Sequence, residues 1–218
     1  MASLVLWGAT GQAKVLSEFV PRLGYDVIAL VYRDPKVASP LLGVPIFRSE
    51  AELDEFLVGR SCGALSGAAA IGGWRGRDRL EILTRILAKG MTAPALVHPA
   101  AWVADDAVVA SGAQILGGAN VAAQAQIGEG AIVNTGASVD HECIVGRGAH
   151  IASGAVLAGC VEIGERAFVG PGAVVVARVR IGADAIVGAG AVVTRDIPEA
   201  VVAYGAPARV IRTVKGAA

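Results

Sequence analysis

The feature that most constrains this chain is a six-residue repeat that runs without interruption through its second half. Every sixth residue from Val97 to Val193 is Val, Ile or Leu. From Ala101 to Ala191, the residue four positions after each of these is small, most often alanine. A period of six fits neither the 3.6-residue period of an α-helix nor the plain two-residue alternation of a strand. The repeat therefore indicates a solenoid.

The spacing within each hexad predicts how the chain coils. Residues two apart share a face of a strand, so Ala101 and Val103 both point inward from one short strand. The remaining positions are rich in glycine, which supplies the positive φ that tight corners need. Three hexads close a triangular coil, and stacked coils pair strand on strand about 4.8 Å apart. We predict a left-handed parallel β-helix of nearly six coils over residues 93–197.

Residues 1–92 lack this repeat and form a different domain. Strand-like and helix-like segments alternate along them, which predicts an α/β domain with a mainly parallel sheet. Ser49 followed three residues later by Glu52 is typical of a helix start. A tail over residues 198–218, which contains a G-x-P-A-R motif, completes the predicted organisation.

Composition excludes several classes of function. The net charge is zero and no run of basic residues occurs, so neither nucleic acid nor a membrane surface is an expected partner. Although 54% of the residues are hydrophobic, no stretch of about 20 apolar residues is present. Met1 leads into a strand-like segment without a basic region, and the three cysteines show no pairing pattern. We therefore expect a protein of the reducing cytoplasm.

The α/β domain offers candidate binding residues whose interpretation stays open. The strand–Gly8-x-x-Gly11–helix turn resembles half of a dinucleotide-binding fingerprint, but a G-x-x-G taken alone is more often a plain tight turn. Asp34 follows the second predicted strand, where it could meet a ribose or simply form a turn before Pro35. Arg77 lies in a glycine-rich loop that could bind phosphate or simply start a helix.

The repeat also predicts where the histidines point. His98 precedes a proline at the entrance of the solenoid and is expected to be structural. His141 falls on an outward corner, and His150 projects outward from a strand. Both should therefore be either exposed or part of a functional site. Cys143 occupies an inward small-residue position and is expected to fill the core.

Two chemistries compete for the outward histidines. Some β-helix carbonic anhydrases bind zinc through three histidines, but the nine-residue spacing and the lack of a His-x-x-x-x-His pair argue against this, so we predict no metal. Acid–base catalysis is favoured because His141 lies between Asp140 and Glu142. Gly159, eighteen residues after His141, should lie on the same corner about 4.8 Å away, where its N–H could bind an oxyanion. A routine corner glycine is the alternative.

The stretch from Asn134 to Gly164, NTGASVDHECIVGRGAHIASGAVLAGCVEIG, resembles the bacterial hexapeptide-repeat acetyltransferases that modify nucleotide-linked amino sugars. The sialic-acid O-acetyltransferases are close relatives of these enzymes. The resemblance extends to GATGQAK near the start, AIGGWRGR before the second domain and YGAPARVIR near the end. It implies a homotrimer, with acetyl-CoA between adjacent β-helices and the nucleotide held mainly by the N-terminal domain.

The resemblance also implies roles for individual residues. His141 matches the general base, Glu142 the acid that orients or polarises it, and Gly159 the amide that binds the oxyanion. His150, Gly159, Pro171 and Ala189 match residues that line the acetyl-CoA site. The nucleotide-sugar side is matched by Gly8, Ala9, Thr10, Gly11, Asp34 and Arg77. The chain departs from the pattern at Gln12, where many relatives carry His, at Ala189, where Gly is common, and at Cys160, where Asn is frequent.

The expected function is direct transfer of acetyl from acetyl-CoA to the amino group of a nucleotide-linked sugar. No acyl-enzyme is expected, because a thioester is already activated and Cys143, the only cysteine expected near the chemistry, points inward. Acetylation of a hydroxyl on a sugar or sialic acid is one alternative, and a UDP-linked 4-amino sugar as the acceptor is another. A non-enzymatic β-helix is disfavoured by the irregular outward positions and by the appended α/β domain.

Overall fold

A computed structural model describes residues 1–59 and 65–214. The chain divides into two compact units. The first comprises residues 1–72 and 78–94, and the second comprises residues 73–77 and the chain from Ala95 onward. No helix in the described part of the chain is long and apolar enough to cross a membrane.

The first unit is built on a parallel sheet, as its alternating segments predict. Its elements are β1 Ala2–Trp7, α1 Gly11–Phe19, a 3₁₀ helix Val20–Leu23, β2 Tyr25–Val31, β3 Ile46–Phe47, α2 Glu50–Leu57, β4 Leu65–Ala69 and α3 Gly76–Ala88, of which the first two residues of α3 belong to the second unit. The strands lie in the order β3-β2-β1-β4, all parallel. Leu4, Val5 and Leu6 of β1 are completely buried, since helices cover both faces of such a sheet.

The predicted capping signal does begin α2. The Ser49 hydroxyl accepts the Glu52 N–H at 3.2 Å. The Glu52 carboxylate accepts the N–H of Arg48 at 2.8 Å, one residue before the position that a standard capping box uses.

The second unit is a left-handed parallel β-helix, which confirms the fold predicted from the repeat. The repeated aliphatic residue is the second residue of each short strand. Strand pairs are parallel and eighteen residues apart, for example Ser138 with Val156. Among the described residues its two-residue strands are β5 Leu96–Val97, β6 Trp102–Val103, β7 Val108–Val109, β8 Gln114–Ile115, β9 Asn120–Val121, β10 Gln126–Ile127, β11 Ile132–Val133, β12 Ser138–Val139, β13 Ile144–Val145, β14 His150–Ile151, β15 Val156–Leu157, β16 Glu162–Ile163, β17 Phe168–Val169, β18 Val174–Val175, β19 Arg180–Ile181, β20 Ile186–Val187 and β21 Val192–Val193.

These strands form the three faces of the coil. Face I contains β5, β8, β11, β14, β17 and β20; face II contains β6, β9, β12, β15, β18 and β21; face III contains β7, β10, β13, β16 and β19. The small and aliphatic residues of successive hexads meet in one buried core along the axis. Cys143 lies in that core, as its place in the repeat predicts, and burial raises the pKa of its thiol.

One position in each corner from Gly112 to Gly190 has a left-handed backbone. Glycine occupies it in many corners, for example Gly136 with a φ of +65°. Other corners carry a side chain there, including Glu142 and Cys160, with φ values of +58° and +60°. A left-handed residue with a Cβ costs roughly 1–2 kcal/mol, so these corners hold their side chains in directions that an ordinary turn would not provide.

A hairpin ends face I. Strand β22, Val201–Gly205, continues the parallel stack beside β20, and β23, Ala208–Thr213, pairs antiparallel with β22. The G-x-P-A-R motif of the tail therefore forms the turn and the start of the last strand.

Candidate active site

The corner that joins face II to face III brings together the residues predicted to be catalytic. His141 and Glu142 follow β12, and Gly159 and Cys160 follow β15 one coil further along. The Cys160 N–H donates to the carbonyl oxygen of His141 at 2.9 Å, which locks the two layers together. We call these four residues the His141 corner.

The imidazole of His141 is held between polar neighbours. Its Nδ1 lies 3.0 Å from Oε2 of Glu142, and its backbone N–H donates to the Asp140 carboxylate at 2.7 Å. Because a carboxylate only accepts, the proton of the neutral ring is assigned to Nδ1. Nε2 is then the free acceptor of a side chain that is 53% exposed. This tautomer is the one that a general base requires.

Gly159 lies directly under the ring of His141. A Cβ built on Gly159 would collide with Nε2 and Cε1 of His141, so the close approach depends on glycine. Within residues 1–59 and 65–214, the N–H of Gly159 has no hydrogen-bond acceptor. A proton acceptor and an amide donor thus lie side by side, as the eighteen-residue spacing predicts.

Cys160 adds a thiol that the sequence interpretation left without a role. Its Sγ lies 3.7 Å from Oε2 of Glu142. One donor atom each from His141, Glu142 and Cys160 lie within 4.8 Å of one another. The signal that would have shown this is the spacing from residue 142 to residue 160, which equals one full coil.

His150 points out of the coil from face I, as predicted, but it is only 3% exposed. Its Nδ1 donates to the carbonyl oxygen of Gly73 at 3.1 Å, and its Nε2 accepts from the Asn134 amide at 3.0 Å. Phe168 packs edge-on against it, and Trp74 packs edge-on against Phe168. Of the two alternatives for His150, simple exposure is therefore excluded, because Gly73, Asn134 and Phe168 contact its ring. His98 has a local structural bond, in which its Nδ1 accepts the N–H of Ala100.

Pro171 and Ala189 are exposed on a different corner, the one that joins face I to face II. They lie one coil apart, and the Gly190 N–H donates to the Pro171 carbonyl at 2.9 Å. Within one chain, the full width of face II separates them from the His141 corner. The structure therefore does not bring Pro171 and Ala189 together with the predicted base in a single subunit, whereas Gly159, which is also predicted to line the acetyl-CoA site, lies against the base.

The glycine turn of the first unit depends on a close backbone approach. Gly8 has a φ of +139°, and a Cβ on it would collide with the carbonyl oxygen of Ala70. Ala9 is buried, and Thr10 precedes α1 without a side-chain capping bond. Gly11 is the first residue of α1, and a Cβ built on it would have no neighbouring atom within 4 Å. Gly8 thus has a structural explanation, and phosphate binding at this turn stays a prediction.

Asp34 forms the turn that was one of its two interpretations. Its Oδ1 accepts the N–H of Lys36 at 2.9 Å, while the residue remains exposed. Arg48, which the sequence interpretation missed, braces this loop through its guanidinium. It donates to the carbonyl oxygens of Tyr32, Asp34 and Val37 at 3.1, 2.6 and 2.8 Å. These three hydrogen bonds hold the backbone of the loop in place and leave the Asp34 side chain exposed to solvent.

Arg77 belongs to the second unit and is exposed. The pKa of Asp184 lies below its usual value, mainly because of the hydrogen bond from Arg166, and the charge of Arg77 adds to this effect. Its predicted contact with a nucleotide sugar stays a prediction.

Comparison with known proteins places this geometry in a family. The family model "Bacterial transferase hexapeptide (six repeats)" matches residues 160–195. A comparison with curated proteins gives no significant match.

Solved structures match almost the whole chain. Perosamine N-acetyltransferase from Caulobacter crescentus, crystallised as its H141N mutant with CoA and GDP-perosamine, is 38% identical over 97% of both chains, with a TM-score of 0.88. PerB from the same organism, with the same two ligands, is also 38% identical over 97% of this chain and 98% of its own, with a TM-score of 0.87. The acetyltransferase domain of PglB from Neisseria gonorrhoeae, in complex with acetyl coenzyme A, is 31% identical over 96% of this chain and 99% of its own, with a TM-score of 0.85.

Identity and coverage of this extent, together with the repeat and the fold, leave no ambiguity about the class of protein. The chain belongs to the bacterial hexapeptide-repeat acetyltransferases, and it is an acetyl-CoA-dependent N-acetyltransferase of nucleotide-linked amino sugars.

Proposed function

We propose that this enzyme acetylates the amino group of GDP-perosamine, with His141 as the general base. The observation that carries the proposal is the His141 corner, where Nδ1 of His141 pairs with Glu142 and Nε2 lies beside Gly159. Structures of the 38% identical relative with its own His141 replaced, as H141N and as H141A, were solved with CoA and GDP-perosamine bound. This supports both the acceptor and the residue.

The reaction follows from these groups. The neutral amine attacks the thioester carbonyl, so that a C–N bond forms while Nε2 of His141 accepts the proton that the amine loses. The N–H of Gly159 donates to the oxyanion of the tetrahedral intermediate. The C–S bond then breaks and CoA leaves. Glu142 holds the ring through Nδ1 and stabilises the imidazolium that forms.

A covalent acyl-enzyme is not needed. Cys143 is completely buried, and burial raises the pKa of its thiol, which keeps the thiol protonated and unreactive. Cys160 does lie at the His141 corner, contrary to the expectation that Cys143 was the cysteine nearest the chemistry. Direct attack by an amine on a thioester needs no help from this second thiol, because the thioester is already activated.

The acceptor can be identified by measuring CoA release with a panel of GDP- and UDP-linked amino sugars and their hydroxyl counterparts. We expect release with GDP-perosamine to exceed that with the UDP-linked 4-amino sugars and with the hydroxyl analogues. Preferential turnover of a UDP sugar would refute the GDP assignment, and turnover of the hydroxyl analogue alone would favour O-acetylation.

We further propose a homotrimer in which acetyl-CoA binds between subunits. The base lies on one edge of face II, whereas Pro171 and Ala189, two of the predicted acetyl-CoA residues, lie on the other, so a site that contains all three residues needs neighbouring subunits. Face II also carries apolar side chains that are exposed in the single chain: Trp102 at 57%, Val156 at 40% and Val174 at 39%. A subunit contact along this face would bury them.

Mixing two inactive variants tests the shared site. His141→Asn removes the base, and Ala189→Arg obstructs the acetyl-CoA side. If the site is shared, co-expressed variants should recover activity, up to about a quarter of the sites for random assembly of equal amounts. Each variant alone is the control, and no recovery in verified mixed oligomers would show that each subunit holds a complete site.

The first unit is proposed to hold the nucleotide, with the Gly8–Gly11 turn and the exposed Asp34 carboxylate as its contacts.

Because both co-substrates are metabolites of the cytoplasm, we also propose that the reaction takes place there.

A further inference from the structure

We propose that His141, Glu142 and Cys160 form an inhibitory site for a soft divalent cation, for which Zn²⁺ is the probe. The three donors are a ring nitrogen, a carboxylate and a sulfur, and all lie within 4.8 Å of one another. Within residues 1–59 and 65–214, the hydrogen bonds of these side chains join them only to each other. An ion would therefore break no contact with the rest of the fold.

Two of the three donor separations lie close to those of a tetrahedral ion. With Zn–N and Zn–O near 2.0 Å and Zn–S near 2.3 Å, the edges of the tetrahedron are about 3.3 Å from nitrogen to oxygen and about 3.5 Å from sulfur to oxygen or nitrogen. The observed separations are 3.0 Å from Nδ1 to Oε2 and 3.7 Å from Sγ to Oε2. The third, from the ring nitrogen to Sγ, is at most 4.8 Å, so binding requires the exposed side chains to close that edge by up to about 1.3 Å.

The ligand types set the preference for a soft ion. A thiolate and an imidazole favour Zn²⁺ over Mg²⁺, which prefers oxygen ligands. The side chains of His141 and Glu142 are 53% and 57% exposed, so a fourth position is open to water. Cys160 is the decisive ligand, since it supplies the sulfur.

Binding would switch off the base, a consequence that rests on the proposed role of His141. An ion on Nδ1 displaces the proton of that nitrogen to Nε2, and Nε2 can then no longer accept a proton from the amine. The Cys160 thiol loses its proton to solvent, so one proton is released per ion bound. The reaction itself does not use the metal.

The test measures binding and inhibition separately in the full-length enzyme. Co²⁺ should give a thiolate-to-cobalt charge-transfer band in the wild type and in Cys143→Ala but not in Cys160→Asn. Zn²⁺ should inhibit the wild type and Cys143→Ala, and a chelator should restore the activity of both. Inhibition of Cys160→Asn should require a zinc concentration at least about tenfold higher. Mg²⁺ is the control ion. Cys143→Ala is the matched cysteine control, because most coils carry alanine at that inward position.

The failures of the two proposals are distinguishable. Absence of the cobalt band, or a band that persists in Cys160→Asn, would overturn the metal site without bearing on the base. A band that depends on Cys160 but brings no zinc inhibition would overturn the inhibitory role and count against His141 as the base.

Discussion

Two corners of the β-helix share one backbone design but differ in chemistry. The His141 corner joins face II to face III, and the corner formed by Arg147, Glu165, Arg166 and Asp184, which we call the ion-pair corner, joins face III to face I. Each places side chains at left-handed positions one coil apart: Glu142 and Cys160 in the first, Arg166 and Asp184 in the second.

The difference lies in how each carboxylate is matched. Arg166 donates to both oxygens of Asp184 at 2.8 and 2.6 Å and to Glu165 at 2.7 Å. In the part of the chain that the structure describes, no lysine or arginine pairs with Glu142, whose partners are the His141 ring and the Cys160 thiol. A carboxylate neutralised by arginine stabilises the fold, whereas one that faces only an imidazole can tune a base.

Replacing His141 should have the largest effect on activity of any change at the two corners. In His141→Asn we expect kcat to fall by roughly 10²–10⁴-fold with little change in KM, because the base is lost while the shape of the corner is kept. Steady-state kinetics with acetyl-CoA and the preferred amino sugar give both constants. Near wild-type turnover would eliminate His141 as the base.

Gly159→Ala should have the next largest effect. The new Cβ collides with the imidazole and displaces it, and a misplaced base can cost about 10²-fold in kcat. Ala123 occupies the equivalent position one coil before His141, so the backbone itself accepts alanine there. Unfolding by denaturant should therefore be unchanged. Wild-type kcat in this variant would show that the packing of ring against glycine is incidental.

Glu142→Gln removes the negative charge while keeping the size of the side chain. We expect kcat to fall about tenfold, because the imidazolium that forms during transfer loses its carboxylate partner. The Glu129→Gln variant, which removes a carboxylate paired with Arg147 at the ion-pair corner, is the matched control and should keep its kcat. Equal kcat values in the two variants would mean that Glu142 does not support the base.

Asp184→Asn should leave kcat unchanged but lower the free energy of unfolding by about 1 kcal/mol, since the pair is partly exposed. The pKa of Asp184 is lowered in the folded state, mainly by its hydrogen bond with Arg166. Its contribution is therefore fully present above the ordinary value of 3.8 and is lost as the pH falls through the lower folded value. Urea unfolding of the two proteins should converge well below pH 3.8, and a difference that persists there would contradict this origin.

The repeat predicted much of the β-helix, because the position of a residue in its hexad determines whether its side chain points into the core or outward. It placed Cys143 inside, His141 and His150 outside, and Gly159 under His141. It could not show that Glu142 and Cys160 occupy left-handed positions, because the expectation there was glycine. The repeat could not predict the burial of His150 either, since one of the contacts of that side chain is with Gly73, which lies far away in sequence.

The hairpin of β22 and β23 has a consequence for solubility. A stack of parallel strands ends in a row of unpaired backbone groups, onto which the first coil of another molecule could add. On face I that row is occupied by β23, which runs in the opposite direction and carries Arg209 and Arg212. The solenoid thus ends in an antiparallel, positively charged strand, which opposes end-to-end growth into fibres.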